Sequence, residues 1–240
     1  MHFLVLQHLD CEHPGVFRDF WRKAGHDWQA VELDEGEAFP EDVSSFDALL
    51  VMGGPMDVWQ EDEHPWLVPE KAFIRDWVTR LKRPYLGICL GHQLLAASLG
   101  GQVGLMKRPE IGIESVDLTE AGRGDRLFAG LARRFDYLQW HGAEVSALPE
   151  GGTTLAASPA CPIQAMRWGD HAYGLQFHVE FTEGTVTDWN EIPEYRAALE
   201  TTLGDGGCDR LTAAARAHIE KSNAAAEIIN DNFMAIVQAT

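Results

Sequence analysis

The stretch of this sequence best suited to chemistry is GICLGHQ, where Cys89 lies between Gly87 and Gly91. The apolar run 84–88 before the cysteine is typical of a buried strand, and the apolar residues of 90–99 recur at helical spacing. The pattern therefore predicts a sharp strand-to-helix turn with a thiol at its corner. Residues two positions away on either side must be small in such a turn, and here both are glycine.

A cysteine at such a corner is a candidate nucleophile. The helix that follows directs its amide N–H groups and the positive end of its dipole at the thiol, which favours the thiolate, the form that attacks. A buried structural cysteine beside a glycine-lined turn is the alternative interpretation, and this stretch alone does not separate the two.

A cysteine nucleophile needs a base, and the base needs an acceptor that orients it. Among ten histidines, His178 is the best placed, because Glu180 follows two residues later in the stretch QFHVE. At strand spacing both side chains point to the same side, so the carboxylate would accept the Nδ1 proton and leave Nε2 to face the thiol. The alternative is a chance pairing of the two residues at the solvated end of a strand.

A third stretch, MGGP, ends a predicted buried strand in Gly53 and Gly54. A turn of this kind exposes backbone N–H groups where a tetrahedral oxyanion could be held, although tight turns without such a role are common. The four cysteines have neither the spacing of a metal site nor that of a disulfide framework, so we expect no bound metal.

Taken together, these stretches resemble the class I (triad-type) glutamine amidotransferase family, particularly free-standing relatives of the amidotransferase domain of GMP synthase. The resemblance covers residues 45–185 and rests on MGGP, GICLGHQLLA, LQWHGAEVSALPEG and QFHVE. It implies a flavodoxin-like fold and hydrolysis of glutamine without a cofactor. Two positions depart from the family pattern: Val179 stands where proline is usual, and Trp140 stands where many members have a small or polar residue. We expect Val179 to preserve the geometry and Trp140 to reshape the substrate pocket.

The resemblance also implies a role for each matching residue. Cys89 would attack the γ-carboxamide of glutamine to give a γ-glutamyl thioester, His178 would carry the thiol proton to the departing ammonia, and Glu180 would hold the imidazole ring. The remaining positions are an oxyanion hole formed by the amides of Gly54 and Leu90, and a site for the amino-acid end of glutamine formed by Gln93 and the backbone around Trp140, Gly142 and Ala143.

The elements that must position these residues alternate between strand and helix, which predicts a parallel sheet with helices on both faces. From residue 101 to 181 the pattern changes to short strands and turns, which predicts a mixed, partly antiparallel extension of the sheet. We therefore expect one α/β domain over 1–240, with no motif assigned in 190–240. The predicted strands are 2–8, 28–33, 47–52, 84–88, 112–118, 137–140, 153–157, 163–168 and 172–178, and the predicted helices are 14–24, 66–81, 90–99 and about 209–237.

Composition limits the partners. The net charge of −18 and the pI of about 4.8 argue against a nucleic-acid partner or an anionic membrane surface. No segment has the length and purity of a membrane span, and the N-terminus lacks a basic region and a cleavage pattern, so we expect a cytoplasmic protein. The loop HLDCEHPG leaves the first strand where α/β sheets place their sites. Asp10, Cys11 and His13 in it are candidates for the site entrance, with an ordinary polar loop as the favoured interpretation.

Three functions remain open at this point. The first is a glutaminase that delivers ammonia to a separate synthetase subunit; the second is a stand-alone hydrolase or peptidase acting on γ-glutamyl compounds. The third is a non-catalytic binding protein on the same scaffold, against which the intact set of Cys89, His178 and Glu180 argues. The family resemblance favours the first, but the sequence itself does not separate it from the second.

Overall fold

The first half of the chain alternates short apolar strands with helices, and the computed structural model, which describes residues 1–240, places every strand in one sheet. The nine strands are β1 (His2–Gln7), β2 (Asp27–Glu32), β3 (Ala48–Val51), β4 (Tyr85–Ile88), β5 (Gln102–Leu118), β6 (Arg134–Ala147), β7 (Gly152–Ala157), β8 (Ala165–Trp168) and β9 (Ala172–Leu175).

Seven α-helices surround this sheet. They are α1 (Phe17–Ala24), α2 (Leu67–Asp76), α3 (Leu90–Ser98), α4 (Glu120–Arg123), α5 (Thr185–Trp189), α6 (Pro193–Leu203) and α7 (Gly207–Ala239). Helix α2 continues into a π-helical turn, Trp77–Leu81, and a short 3-10 turn, Arg126–Phe128, precedes β6. No helix combines the length and the apolar character needed to cross a bilayer.

The strand order β2-β1-β3-β4-β9-β8-β7-β5-β6 divides the sheet into two halves. Strands β2, β1, β3, β4 and β9 are parallel neighbours, whereas β9 through β6 pair antiparallel. The pairing of β4 with β9 is the junction that matters for the site, because it sets Ile88 opposite Leu175. The residues after both strands therefore emerge side by side at the same edge of the sheet.

Two hydrophobic layers bury the parallel strands on both faces. Alternate residues of β3 point into opposite layers, Leu50 into the layer with α1 and α7 and Leu49 into the layer with α2 and α3. Trp21 of α1 is a large buried side chain of the first layer, and Trp77 beside α2 is one of the second. The predicted α/β class, with helices on both faces of a flavodoxin-like sheet and an antiparallel extension, is confirmed.

Several predicted boundaries are wrong, for physical reasons. The short strands predicted at 112–118 and 137–140 are parts of a long hairpin formed by β5 and β6. The pairing register of this hairpin changes between Leu105 and Glu110, and this irregularity interrupts the alternation of apolar and polar residues in the sequence. The strand predicted over 172–178 ends at Leu175, and His178 makes only an isolated bridge to Leu138.

Helices α5 and α6 were not predicted. Helix α5 is only five residues long, too short for a helical periodicity to show, although Thr185, Val186 and Trp189 are buried. Only Tyr195 and Leu199 of α6 are buried, so its hydrophobic periodicity is weak. Helix α7 matches the predicted C-terminal helical segment and extends it by two residues at each end.

The turn between β4 and α3 depends on the absence of a side chain at Gly91. A Cβ there would lie 2.0 Å from the carbonyl oxygen of Val51. We expect Gly91→Ala to lower the free energy of unfolding by about 2–4 kcal/mol, because backbone atoms cannot move aside as a flexible side chain could. Gly104→Ala is the matched control, since a Cβ there meets nothing within 4 Å. Urea denaturation of both variants checks this, and equal losses would contradict it.

Candidate active site

Cys89 occupies the corner between β4 and α3 in a strained backbone conformation, with φ 51° and ψ −102°. Such a conformation costs a non-glycine residue about 1–3 kcal/mol and persists only where the surroundings impose it. The Cys89 amide donates to the Leu175 carbonyl at 2.7 Å, and the Gly91 amide donates to the Met52 carbonyl at 3.1 Å. Both neighbouring strands thus hold the corner in place.

His178 and Glu180 meet although they are not on a regular strand. The His178 ring places Nδ1 2.8 Å from Oε1 of Glu180, and both side chains are almost fully buried. The His178 amide donates to the carbonyl of Leu138 on β6, which fixes the backbone beyond β9. Because the carboxylate accepts from Nδ1, the Nε2 atom is left for Cys89.

Two opposing effects determine the charge of His178. Burial lowers the pKa of His178, but the Glu180 carboxylate and a hydrogen bond with Cys89 raise it, and the result lies well above the usual 6.5. The site therefore favours an imidazolium at His178, which is the partner that a thiolate requires.

A chain of amide side chains connects Cys89 with Gln93. Gln176 Nε2 lies 3.6 Å from the Cys89 sulfur, and Gln93 Nε2 donates to Gln176 Oε1 at 3.1 Å. Gln93 also donates to the Ala143 carbonyl at 3.1 Å. Gln176 precedes the QFHVE histidine by two residues, but its contact with Cys89 crosses from β9 to β4 and has no local sequence signal.

Two backbone amides border the cavity in front of Cys89. Leu90 is the first residue of α3, so its N–H has no acceptor within the helix, and Gly54 lies in the turn after β3. The next amide along, that of Gly91, is already occupied by Met52. Leu90 and Gly54 are therefore placed as free donors at the cavity wall.

The cavity at this edge of the sheet has a volume of about 200 Å³. His178 and Glu180 lie behind Cys89 rather than in the cavity wall. Trp140 contributes a buried Nε1 that has no hydrogen-bond partner. Of the nine predicted site residues, the seven other than His178 and Glu180 line the cavity: Gly54, Cys89, Leu90, Gln93, Trp140, Gly142 and Ala143.

Two further histidines near the elbow have packing contacts. His141 lines the cavity, but its Nδ1 donates to the Ala143 carbonyl and its Nε2 lies 3.2 Å from a carboxylate oxygen of Glu110. His92 faces away from the cavity, fully buried, and burial together with the nearby His141 lowers its pKa to about 3, so it is neutral. No group of three or more His, Cys, Asp or Glu side chains is arranged to hold a metal ion.

An aromatic cluster covers His178 from the side of α5 and α6. The Trp189 ring packs edge-on against the His178 ring at 4.5 Å between centroids, and Trp140 and Tyr195 complete the cluster. The Tyr195 hydroxyl donates to the buried carboxyl of Glu12, whose pKa is raised by burial. Of the residues in this cluster, only Trp140 was predicted from the sequence to belong to the site.

The loop after β1 contributes to the site through a different residue from those predicted. None of Asp10, Cys11 and His13 lines the cavity, and Cys11 and His13 are only partly buried. Glu12 is the buried member of HLDCEHPG, 1% exposed. No sequence signal singles it out, because Asp10 in the same loop is also acidic and is exposed.

The chain is similar to several known proteins. A family profile described as glutamine amidotransferase class-I matches residues 18–188. The glutamine amidotransferase-like protein YfeJ of Salmonella typhimurium is 34% identical over 189 residues, which cover 78% of this chain and 77% of that protein. One of the subunits of the glutamine-hydrolysing GMP synthase of Sulfolobus acidocaldarius is 36% identical over 141 residues, which cover 58% and 70% of the two chains.

Two other similarities extend the comparison. Gamma-glutamyl peptidase 3 of Arabidopsis thaliana is 27% identical over 174 residues, covering 70% of this chain and 68% of that protein. The crystal structure of a glutamine amidotransferase from Thermotoga maritima matches with a TM-score of 0.87 and 26% identity, covering 99% of this chain and 98% of that one. The profile match over most of the chain and the similarity to YfeJ show that this protein belongs to the class I glutamine amidotransferase family.

Proposed function

We propose that this protein hydrolyses the γ-amide of glutamine through a γ-glutamyl thioester on Cys89 and releases ammonia for a separate acceptor enzyme. One observation carries the proposal. The buried Cys89 thiol lines a cavity of amino-acid size, with His178, itself paired with Glu180, against the thiol and two backbone amides beside it. This is the arrangement that acyl transfer from an amide requires.

In the first half of the reaction, His178 Nε2 holds the proton it has taken from the Cys89 thiol, and the thiolate sulfur forms a bond to the γ-carbonyl carbon. The carbonyl oxygen becomes an oxyanion between the amides of Gly54 and Leu90. The C–N bond then breaks, and the nitrogen leaves as ammonia with the proton that His178 returns. An amide nitrogen is a poor leaving group unless it is protonated, so one imidazole must act as base and then as acid.

In the second half, a water molecule attacks the thioester. His178 takes a proton from the water and gives it to the departing sulfur of Cys89, and glutamate is released. Glu180 stabilises the imidazolium in both halves. Gln93 and the backbone around Trp140, Gly142 and Ala143 would hold the amino-acid end of the substrate.

The first test concerns the nucleophile. A diazo-ketone analogue of glutamine should label a single site, which peptide mapping places at Cys89. Cys89→Ala should lower turnover by about 10⁴-fold or more while the fold is retained. The competing thiols are unfavourable, because burial raises the pKa of Cys11 to about 12 and raises that of Cys161 as well.

The matched control for this test is Cys161→Ala, which removes an equally buried thiol away from the cavity. Its turnover should stay within about twofold of wild type. Labelling mainly at Cys11, Cys161 or Cys208 would contradict the assignment.

The second test separates the base from the residue that orients it. His178→Asn removes the proton carrier and should lower kcat by about 10⁴-fold. Glu180→Gln keeps an acceptor oxygen but loses the charge, so we expect an intermediate loss of about 10²-fold. Glu183→Gln, an exposed change three residues further on, is the matched control.

The same pair predicts a change in pH dependence. The Glu180 carboxylate raises the pKa of His178. Without that charge His178 loses its proton at lower pH, so the alkaline limb of the kcat/KM profile should move to lower pH in Glu180→Gln. A profile for this variant that coincides with wild type from pH 6 to 9 would show that Glu180 does not orient the base.

A stand-alone γ-glutamyl peptidase is the second candidate function. It is favoured by the similarity to gamma-glutamyl peptidase 3. Both functions proceed through the same thioester and differ only in the group that leaves. A peptidase must accommodate an amine or amino acid as the leaving group. An ammonia-delivering subunit, in contrast, gains from restraining hydrolysis in the absence of its partner.

Turnover by the purified chain decides between the two. We expect slow hydrolysis of glutamine that rises sharply when a co-purified synthetase is added. Ammonia and amine release should be measured separately for glutamine, γ-glutamyl amines and γ-glutamyl dipeptides. A rate on a γ-glutamyl amine or dipeptide at least about tenfold above that on glutamine would favour the peptidase instead.

A further inference from the structure

A second buried histidine–glutamate pair lies beneath the turn that follows β3. His8, the residue after β1, and Glu70 of α2 are both 0% exposed, and His8 Nε2 lies 2.9 Å from Glu70 Oε1. His8 Nδ1 lies 2.8 Å from the carbonyl oxygen of Gly53. A buried pair of this kind is costly unless both partners are satisfied, and neither residue takes part in the proposed proton transfers.

The partners of His8 determine which nitrogen carries a proton. A backbone carbonyl can only accept, so Nδ1 must donate to Gly53. At the other ring nitrogen, one proton lies between His8 Nε2 and the Glu70 carboxyl and is held by one or the other. Burial lowers the pKa of His8, but Glu70 and the Gly53 carbonyl raise it, with a net increase. The donor at Nδ1 is therefore present in either form of the pair.

The carbonyl held by His8 and the amide of Gly54 belong to the same peptide unit. The chain has no cis peptide bond, so this C=O and this N–H point in opposite directions. Fixing the Gly53 carbonyl towards His8 directs the Gly54 N–H away from His8. Gly54 lines the cavity beside Cys89 and Leu90, on the side where the oxyanion of the proposed reaction forms.

This peptide needs to be held because two glycines flank it. Neither residue has a Cβ to restrict rotation of the intervening peptide plane, which could otherwise turn its N–H away from the cavity. The space for side chains at these two glycines is limited: a Cβ on Gly53 would lie 2.3 Å from Glu12 Oε2, and a Cβ on Gly54 would lie 3.0 Å from the His8 Cβ.

We propose that His8, oriented by Glu70, is a positioning residue that holds the Gly53–Gly54 peptide with its N–H directed at the oxyanion. The proposal deepens the proposed function and rests on it. Because the oxyanion exists only in the transition state and the tetrahedral intermediate, loss of this contact lowers kcat and leaves KM nearly unchanged.

Two variants of His8 separate this role from a general structural one. Asparagine places its amide nitrogen near the position of Nδ1 and can still donate to Gly53, but it is too short to reach Glu70. Glutamine reaches towards Glu70 but leaves the Gly53 carbonyl without its donor. We expect His8→Gln to lower kcat by about 10–100-fold with KM within about threefold, and His8→Asn to retain a kcat at least about fivefold higher than His8→Gln.

Activity and stability should then follow opposite orders. His8→Asn leaves a buried carboxyl without its partner, so it should be the less stable variant although it is the more active one. Melting temperatures measured beside kcat, with glutamine and γ-glutamyl-p-nitroanilide as substrates, check this. Equal kcat values for the two variants, or a loss of kcat that follows the loss of stability, would overturn the proposal.

Alkylation of Cys89 by iodoacetamide provides the internal control. Displacement of iodide by the thiolate forms no oxyanion, so the rate should be the same in wild type and both variants. A rate that falls in parallel with kcat would place the effect of His8 on the thiol instead and overturn the proposal.

His171→Phe is a matched variant. It removes a contact between a histidine and a backbone carbonyl, that of Val78, remote from the cavity, and it should keep kcat within about twofold of wild type. Absence of turnover in the wild-type chain would count against the proposed function, whereas an active wild type with an unimpaired His8→Gln would count against His8 alone.

Discussion

The candidate active site depends on the backbone conformation of Cys89. With φ at 51°, this residue lies where a side chain is disfavoured by about 1–3 kcal/mol, and the strain must be offset by its surroundings. The hydrogen bond to the Leu175 carbonyl and the close approach of Gly91 to Val51 provide that constraint. The result is a thiol that projects from the sheet edge with the first amide of α3 beside it.

The sheet order brings the other groups to this corner. Because β9 is the parallel neighbour of β4, the chain that leaves β9 passes next to Cys89 and reaches His178 within three residues. The antiparallel half then completes the site: β6 accepts the His178 amide at Leu138 and supplies Trp140 and Ala143 to the cavity. The site therefore belongs to both halves of the sheet, and the β4–β9 junction is where they meet.

What the sequence predicted well was local. The glycines around Cys89 and the apolar periodicity on either side are properties of about ten consecutive residues, and the turn they predict is present. The spacing of His178 and Glu180 predicted a contact that does form, although the regular strand assumed for it ends at Leu175. What the sequence did not predict was long-range. His8 and Glu70 are 62 residues apart, and Glu12 and Tyr195 are 183 residues apart, so no periodicity or spacing connects them. Which residues become partners over such distances is determined by how the helices and strands pack. A single sequence does not show which of its polar residues are buried by that packing.

The two buried histidine–glutamate pairs show how the same chemistry can serve different tasks. In each pair a carboxylate faces one ring nitrogen, and in a medium of low dielectric this compensates the cost of burying charge. The second ring nitrogen distinguishes them. In His178 it faces a thiol, which can give and receive a proton, and in His8 it faces a carbonyl oxygen, which only accepts a hydrogen bond. A ring whose second partner cannot release a proton is suited to holding a peptide in place, and one whose partner can release it is suited to catalysis. The different roles proposed for His178 and His8 thus follow from the group that the second ring nitrogen contacts, a thiol or a carbonyl oxygen. They do not follow from the histidine–glutamate pair, which is common to both.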